Sequence, residues 1–281
     1  MPFIRSKFFV VSLICLQFIS ALQAASALEP IGVCVAAPYD HSYQDDRLFV
    51  AIKRYEEQNL VYFVADIQVQ DATVLQAALS GDKPYGREEP VSTIAQRNQA
   101  ILAINADNYG SHEYGVIIRN GSLIRANNTT RNMLIVEENG DMSVHADRSS
   151  DQPGSMADAL LARGVWQTFE FGPELVRGGE AVAFNKAFDV ISTRDTRLEP
   201  RTAIGQIGPL HYIVIVVDGR QDGYSQGMTL QQLQQLFVRF GASTAMNLDG
   251  GGSTELWFQG QTLNHPAGGK ERAVTDIILF K

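Results

Sequence analysis

Two Asn-Gly pairs constrain this fold more than any other local feature. Asn120-Gly121 stands between Val116-Ile117-Ile118 and Leu123-Ile124, and Asn139-Gly140 stands between Leu134-Ile135-Val136 and Met142-Ser143-Val144. A two-residue type I′ turn needs positive φ at both central residues, which Asn and Gly tolerate, and it joins adjacent antiparallel strands. A third hairpin, with a longer loop at Glu56-Glu57-Gln58-Asn59, is expected between the β-rich runs 48–52 and 61–67. Runs 100–104 and 211–217 are almost wholly apolar and predict strands covered on both faces. Residues 273–280 alternate well enough to close a sheet. Helices are few: 72–79 behind an Asp71 cap, 92–98 capped by Ser92, 155–163, and 229–240. The last carries Leu230, Leu233, Phe237 and Phe240 on one face, with Thr229 as its cap and Gly241 as its stop. Hairpins with isolated helices give an α+β fold: a single domain built on a largely antiparallel sheet. No internal repeat and no Pro- or Ser-rich linker divides it.

The first 27 residues read as a secretory signal. Arg5 and Lys7 precede an apolar run from Phe8 to Ile19, and Ala25-Ser26-Ala27 supplies the small residues of a cleavage site. The run is shorter than the roughly 20 residues of a spanning helix. The expected division is therefore a signal over 1–27 and one domain over 28–281, acting in a secreted, periplasmic or cell-envelope location. The formal charge is −8, with 31 acidic against 23 basic side chains and no basic run, which argues against nucleic acid as a partner. Cysteines stand only at 15 and 34, so cleavage leaves one and no internal disulfide. The five histidines have no zinc-ligand spacing.

Three apolar runs end in polar loops: Asn105-Ala106-Asp107, Asp218-Gly219-Arg220 and Asn247-Leu248-Asp249. The third leads into Gly250-Gly251-Gly252-Ser253. Carboxylates and amides repeated at strand ends are how a rigid sheet presents a pocket. The glycines serve either a turn or the close approach of a ligand to exposed N–H groups. The segment is no P-loop, because Gly-Lys-Ser/Thr is missing. It is no nucleophile elbow either, since Glu255 replaces the second glycine. The stretch from Asp218 to Gly223 lacks the acids of an EF-hand.

Taken together, residues 104–110, 200–206, 217–221, 227–230, 247–253 and Glu271-Arg272 resemble the phosphodiester glycosidases, and their order fits that family from about Tyr62 onward. Ala106 departs from the glycine often found there. The resemblance is nearest to the bacterial exported branch, often associated with exopolysaccharide or cell-wall genes. It implies hydrolysis between a sugar anomeric carbon and a phosphodiester, in a glycan or sugar-phosphodiester substrate. Arg201 and Arg272 are then natural phosphate clamps, because guanidinium binds phosphate bidentately. Asp107, Asp218 and Asp249 are the candidate carboxylates for an oxocarbenium-like centre. Asn105, Asn247, Gly250, Gly251, Gly252 and Ser253 are candidates for binding sugar or phosphate. Arg272 in a structural salt bridge, and Asp249 as an organiser of the glycine turn, are the competing assignments. No cofactor is called for, though calcium or another divalent ion is compatible. The alternative function is a noncatalytic glycan-binding module of an envelope assembly.

Overall fold

The computed structural model describes residues 28, 30, 32–129, 131–146, 152–184 and 196–281. The signal assigned to residues 1–27 lies outside them. An eight-stranded sheet runs edge to edge through His41–Gln44, Leu48–Glu57, Leu60–Val69, His211–Val217, Arg201–Gly208, Thr244–Asn247, Glu174–Arg177 and Glu180–Ala181. A five-stranded sheet follows the order Gln261–Thr262, Leu256–Phe258, Leu102–Asn105, Asp276–Phe280, Leu75–Leu79. The described pairings within both are antiparallel. A three-stranded sheet (Met142–His145, Asn132–Val136, Gln167–Phe171), the Val116–Arg119/Ser122–Ala126 hairpin and the short Glu89–Pro90/Ala273–Val274 pair complete the described sheets.

The sequence periods explain the layering. Along Leu60–Val69, the side chains of Val61, Phe63, Ala65 and Ile67 enter a core shared with Leu102, Ile104, Ile278 and Phe280 of the five-stranded sheet. Their alternates Tyr62 and Val64 face the opposite side, where helix Leu230–Arg239 packs through Leu233 and Phe237. Helix Val91–Arg97 covers the outer face of the five-stranded sheet with Ile94 and Ala95. The order is helix, sheet, sheet, helix. Both faces of the central strands are thus dry, and their sequences are continuously apolar rather than alternating. The α+β, mainly antiparallel reading agrees with this architecture.

Several local expectations change. Asp71 does cap a turn, accepting from Thr73 N, but the 3-10 turn Ala72–Val74 passes directly into strand Leu75–Leu79. Those residues suit a helix; pairing with Asp276–Phe280 overrides that propensity. Asp276–Phe280 itself is an interior strand, buried along its whole length. The first hairpin turns on Gln58-Asn59, with Asn59 at φ 58°, so its strands are longer and its loop shorter than expected. Asn120 and Gly121 both have positive φ, 49° and 73°, as a type I′ turn requires. At the second Asn-Gly, residues 137–141 form a longer loop closed by Glu137 N to Asp141 O. Pro90, not Ser92, occupies the cap position of Val91–Arg97.

Candidate active site

Asn105 joins the two sheets at one end. It is the last residue of Leu102–Asn105, and its Nδ2 donates to Asp249 O at 2.7 Å. Its Oδ1 accepts from Thr202 Oγ1 at 2.8 Å and from Glu255 N at 3.1 Å. Backbone bonds add Leu248 N to Thr202 O (2.8 Å) and Asp249 N to Ala106 O (3.3 Å). One buried amide therefore fixes the start of the glycine turn. Its hydrogen-bonding atoms are engaged within the protein, so Asn105 is a brace for Asp249 in this structure.

The turn is the 3-10 element Gly251–Ser253. Gly251 has φ +62°, and its N–H bonds Pro200 O at 2.9 Å. A Cβ on Gly251 would lie 2.9 Å from Arg220 Nη2 and 3.3 Å from Arg220 Cζ. A Cβ on Gly252 would lie 3.4 Å from Arg272 Cδ and 3.7 Å from its Nη1. Gly250 backs onto Pro200, where a Cβ would come within 2.8 Å of the carbonyl oxygen. Two exposed guanidiniums thus lie against this turn, and at Gly251, with its positive φ, a side chain would crowd Arg220. Arg220 is paired through Nε with Glu199 at 2.5 Å.

Asp249 stands at the head of this turn. Its Oδ2 is buried with no hydrogen-bond partner. Burial raises its pKa, while the Ser253 side chain, Arg272, the Gly250 amide and Arg131 draw it back. A carboxylate oxygen kept dry and unpartnered is unfavourable unless something else uses it. Arg131 stands immediately before strand Asn132–Val136, with its guanidinium 4.7 Å from the Tyr114 ring centroid and 5.1 Å from that of Phe171. Asn247 ties this wall to the turn, donating from Nδ2 to Gly172 O at 2.8 Å and to Leu248 O at 3.0 Å.

The other predicted residues are engaged in contacts of their own within the protein. Asp107 binds Arg119 at 2.6 Å and accepts Glu170 N at 2.7 Å, and Arg119 also binds Asp276 at 2.8 Å. This buried triad pins the Leu102–Asn105 end to two other strands; burial, with Asp107 nearby, raises the Asp276 pKa. Asp218 is also buried, accepting from Tyr224 Oη (2.9 Å), Asn264 Nδ2 (3.0 Å) and His265 N (3.0 Å). Burial raises its pKa as well. Asn264 also donates to Thr254 O at 3.2 Å, so Asp218 braces the exit of the glycine turn. Arg201 donates to Met228 O (3.0 Å) and Arg197 O (3.1 Å). Strand alternation turns it to the opposite face from Thr202, the residue that reaches Asn105. Of the two proposed phosphate-binding arginines, Arg272 lies at the turn, and Arg220 accompanies it. Arg220 was visible in the Asp-Gly-Arg motif, but only as part of a turn. Arg131 had no local signal. Among the described residues, no three His, Cys, Asp or Glu side chains gather as metal ligands.

Residues 98–281 match the family model described as phosphodiester glycosidase. SPbeta prophage-derived uncharacterized protein YomE of Bacillus subtilis strain 168 is 32% identical over 199 residues, covering 68% of this chain and 29% of that protein. The aligned region thus spans under a third of that relative. Among solved structures, the zebrafish N-acetylglucosamine-1-phosphodiester alpha-N-acetylglucosaminidase catalytic domain, auto-inhibited by its pro-peptide, aligns with TM-score 0.65 at 20% identity, over 83% of each chain. A hypothetical protein from Synechocystis aligns with TM-score 0.57 at 16% identity, over 84% of this chain and 62% of its own. At these identities the structural likeness is one of fold.

Proposed function

Because this chain belongs to the phosphodiester glycosidase family, we propose that it is a hydrolase cleaving a sugar-1-phosphodiester at the turn headed by Asp249, on cell-wall or exopolysaccharide glycans outside the cytoplasm. The observation that carries this reading is the buried, unpartnered Asp249 Oδ2 beside a glycine turn faced by the guanidiniums of Arg220 and Arg272. The arginines hold the diester oxygens and stabilise charge on the departing phosphate. That leaving group needs no added proton, because its charge is spread over phosphate oxygens. Asp249 therefore works on the other side of the anomeric carbon. It stabilises the oxocarbenium-like centre and receives the proton of the attacking water. The water oxygen bonds C1, the C1–O bond breaks, and its electron pair leaves with the phosphomonoester.

The test is incubation of the leader-free protein with a panel of sugar-1-phosphodiesters. Asp249→Asn keeps the shape and removes the base, so kcat should fall by about a hundredfold or more while substrate still binds. A wild-type protein that binds these compounds and turns none over is a glycan-binding module instead. An Asp249→Asn variant with full rate removes Asp249 from the chemistry.

A further inference from the structure

Asn105 links the two large sheets where the glycine turn begins; Asp218 links them where it ends. Asp218 follows strand His211–Val217 of the eight-stranded sheet and is 1% exposed. Its Oδ1 accepts from Asn264 Nδ2 and from His265 N, each at 3.0 Å, just after strand Gln261–Thr262 of the five-stranded sheet. Asn264 passes the connection to the turn. Its Nδ2 also donates to Thr254 O at 3.2 Å, and its Oδ1 accepts Leu256 N at 2.8 Å.

The same carboxylate holds the loop that carries Arg220. Its Oδ2 accepts Tyr224 Oη at 2.9 Å, and the Asp218 carbonyl accepts Ser225 Oγ at 2.6 Å. Inside this loop Gln221 pairs with Ser225, and Arg220 N donates to Gln226 O at 3.3 Å. Gln221 Nε2 reaches across to His265 O at 2.9 Å, and the Tyr224 ring meets the His265 imidazole edge to face. Beneath, a Cβ on Gly219 would lie 2.7 Å from Pro200 N, and Pro200 O is the acceptor for Gly251 N. The loop and the turn thus rest on Pro200 below and are tied by Asp218 above, with Arg220 Nη2 against Gly251 between them. An amide in place of this carboxylate would offer one acceptor oxygen and set an N–H against donors. We propose that Asp218 is a positioning residue: it sets the separation of the Arg220 guanidinium from the glycine turn, and through it the affinity for the substrate's phosphate. This role rests on the hydrolytic reading above, which assigns Arg220 and the turn to phosphate. It takes Asp218 out of the candidate catalytic carboxylates.

Inorganic phosphate is titrated calorimetrically into wild type, Asp218→Asn, Arg220→Gln and the double variant, alongside steady-state kinetics on a sugar-1-phosphodiester. In Asp218→Asn the phosphate Kd and the KM should each rise about tenfold, with kcat within about threefold of wild type. Arg220→Gln should weaken phosphate to a similar extent. Adding Asp218→Asn to it should weaken phosphate by less than about threefold more, because both act through one guanidinium. Full additivity overturns the proposal. So does a lower urea midpoint with Kd and KM unchanged, which leaves Asp218 a brace of the fold alone. A roughly hundredfold fall in kcat at unchanged KM also overturns it, by making Asp218 catalytic. If Asp218→Asn does not fold, Tyr224→Phe removes one hydrogen bond from the carboxylate and keeps the ring on His265. It should raise Kd and KM by about threefold; no change overturns the idea. Hydrolysis by wild type with Kd and KM unmoved in the variants keeps the hydrolytic reading and removes this role. Weakened phosphate binding in a protein that hydrolyses no sugar-1-phosphodiester upholds the role and removes that reading. A wild type that neither binds phosphate nor hydrolyses the diester overturns both.

Discussion

Arg201 and Arg220 show why a guanidinium has to be judged by what holds its nitrogens. Arg201 is buried and bonds backbone carbonyls at Met228 and Arg197. Arg220 is exposed, paired through Nε, and lies with Nη2 against Gly251. Under the proposed function, Arg220→Gln should raise KM for a sugar-1-phosphodiester by about tenfold or more, the loss of charge-assisted hydrogen bonds to phosphate. Arg201→Lys should instead lower the urea midpoint with little change in KM. Steady-state kinetics and urea melts of both variants decide it, and equal KM effects would restore Arg201 to the site. The sequence showed both arginines in short motifs. It could not show that Arg201 lies on the far face of its strand from Thr202, nor that Gly251 would come to rest beneath Arg220. Asp249 was legible as one of three strand-end carboxylates. That Asp107 shares Arg119 with Asp276 depends on strands distant in the chain, and no spacing rule reports such a match.

Helix Leu230–Arg239 is the element most fully determined by its own residues. Thr229 Oγ1 accepts Gln232 N at 3.1 Å while Gln232 Oε1 accepts Thr229 N at 2.9 Å, a reciprocal capping box. Leu233 and Phe237 then lock its inner face to the large sheet. Thr229→Ala should cost about 1 kcal/mol of stability, read as a lower urea midpoint at unchanged m-value. A loss of under a few tenths would mean that packing alone sets this helix start. Strand Leu75–Leu79 is the opposite case. Nothing in Leu-Gln-Ala-Ala-Leu forbids a helix; its state is decided by the hydrogen bonds offered by Asp276–Phe280. Elements with their own caps and turns are readable from the chain, whereas strands defined by a partner are not. The same holds for the final strand, whose place inside the five-stranded sheet follows from neighbours on both sides rather than from its own alternation.

At the scale of the whole molecule, the seam between helix Val91–Arg97 and the five-stranded sheet contains an acidic pair. Glu255, 1% exposed, and Glu271 converge on Thr262 Oγ1 at 3.0 and 3.5 Å, and Glu271 accepts Ser92 Oγ at 2.7 Å. A hydroxyl has one proton to donate, so these contacts are best satisfied when a carboxyl contributes its own. Burial first, and the Glu271 charge second, raise the Glu255 pKa from 4.5 to about 8. The folded chain thus keeps a proton that the unfolded chain releases near 4.5. Between those two values the unfolded state binds fewer protons, so this contribution to stability falls as pH rises and is gone above about 8. Asp66 works in the other direction. Hydrogen bonds from His211 and the Cys34 segment outweigh its burial and lower its pKa, so its contribution is lost only as pH falls below 3.8. Together they place the stability maximum on the mildly acidic side of neutrality. The urea midpoint of wild type should therefore decline between about pH 5 and pH 8. Glu255→Gln, close in shape and unable to ionise, should flatten that decline without moving the acid side. Parallel midpoint curves for wild type and Glu255→Gln would show that the pair does not share a proton, and that the pH response of the fold comes from Asp218, Asp249 and Asp276, whose pKa values burial also raises.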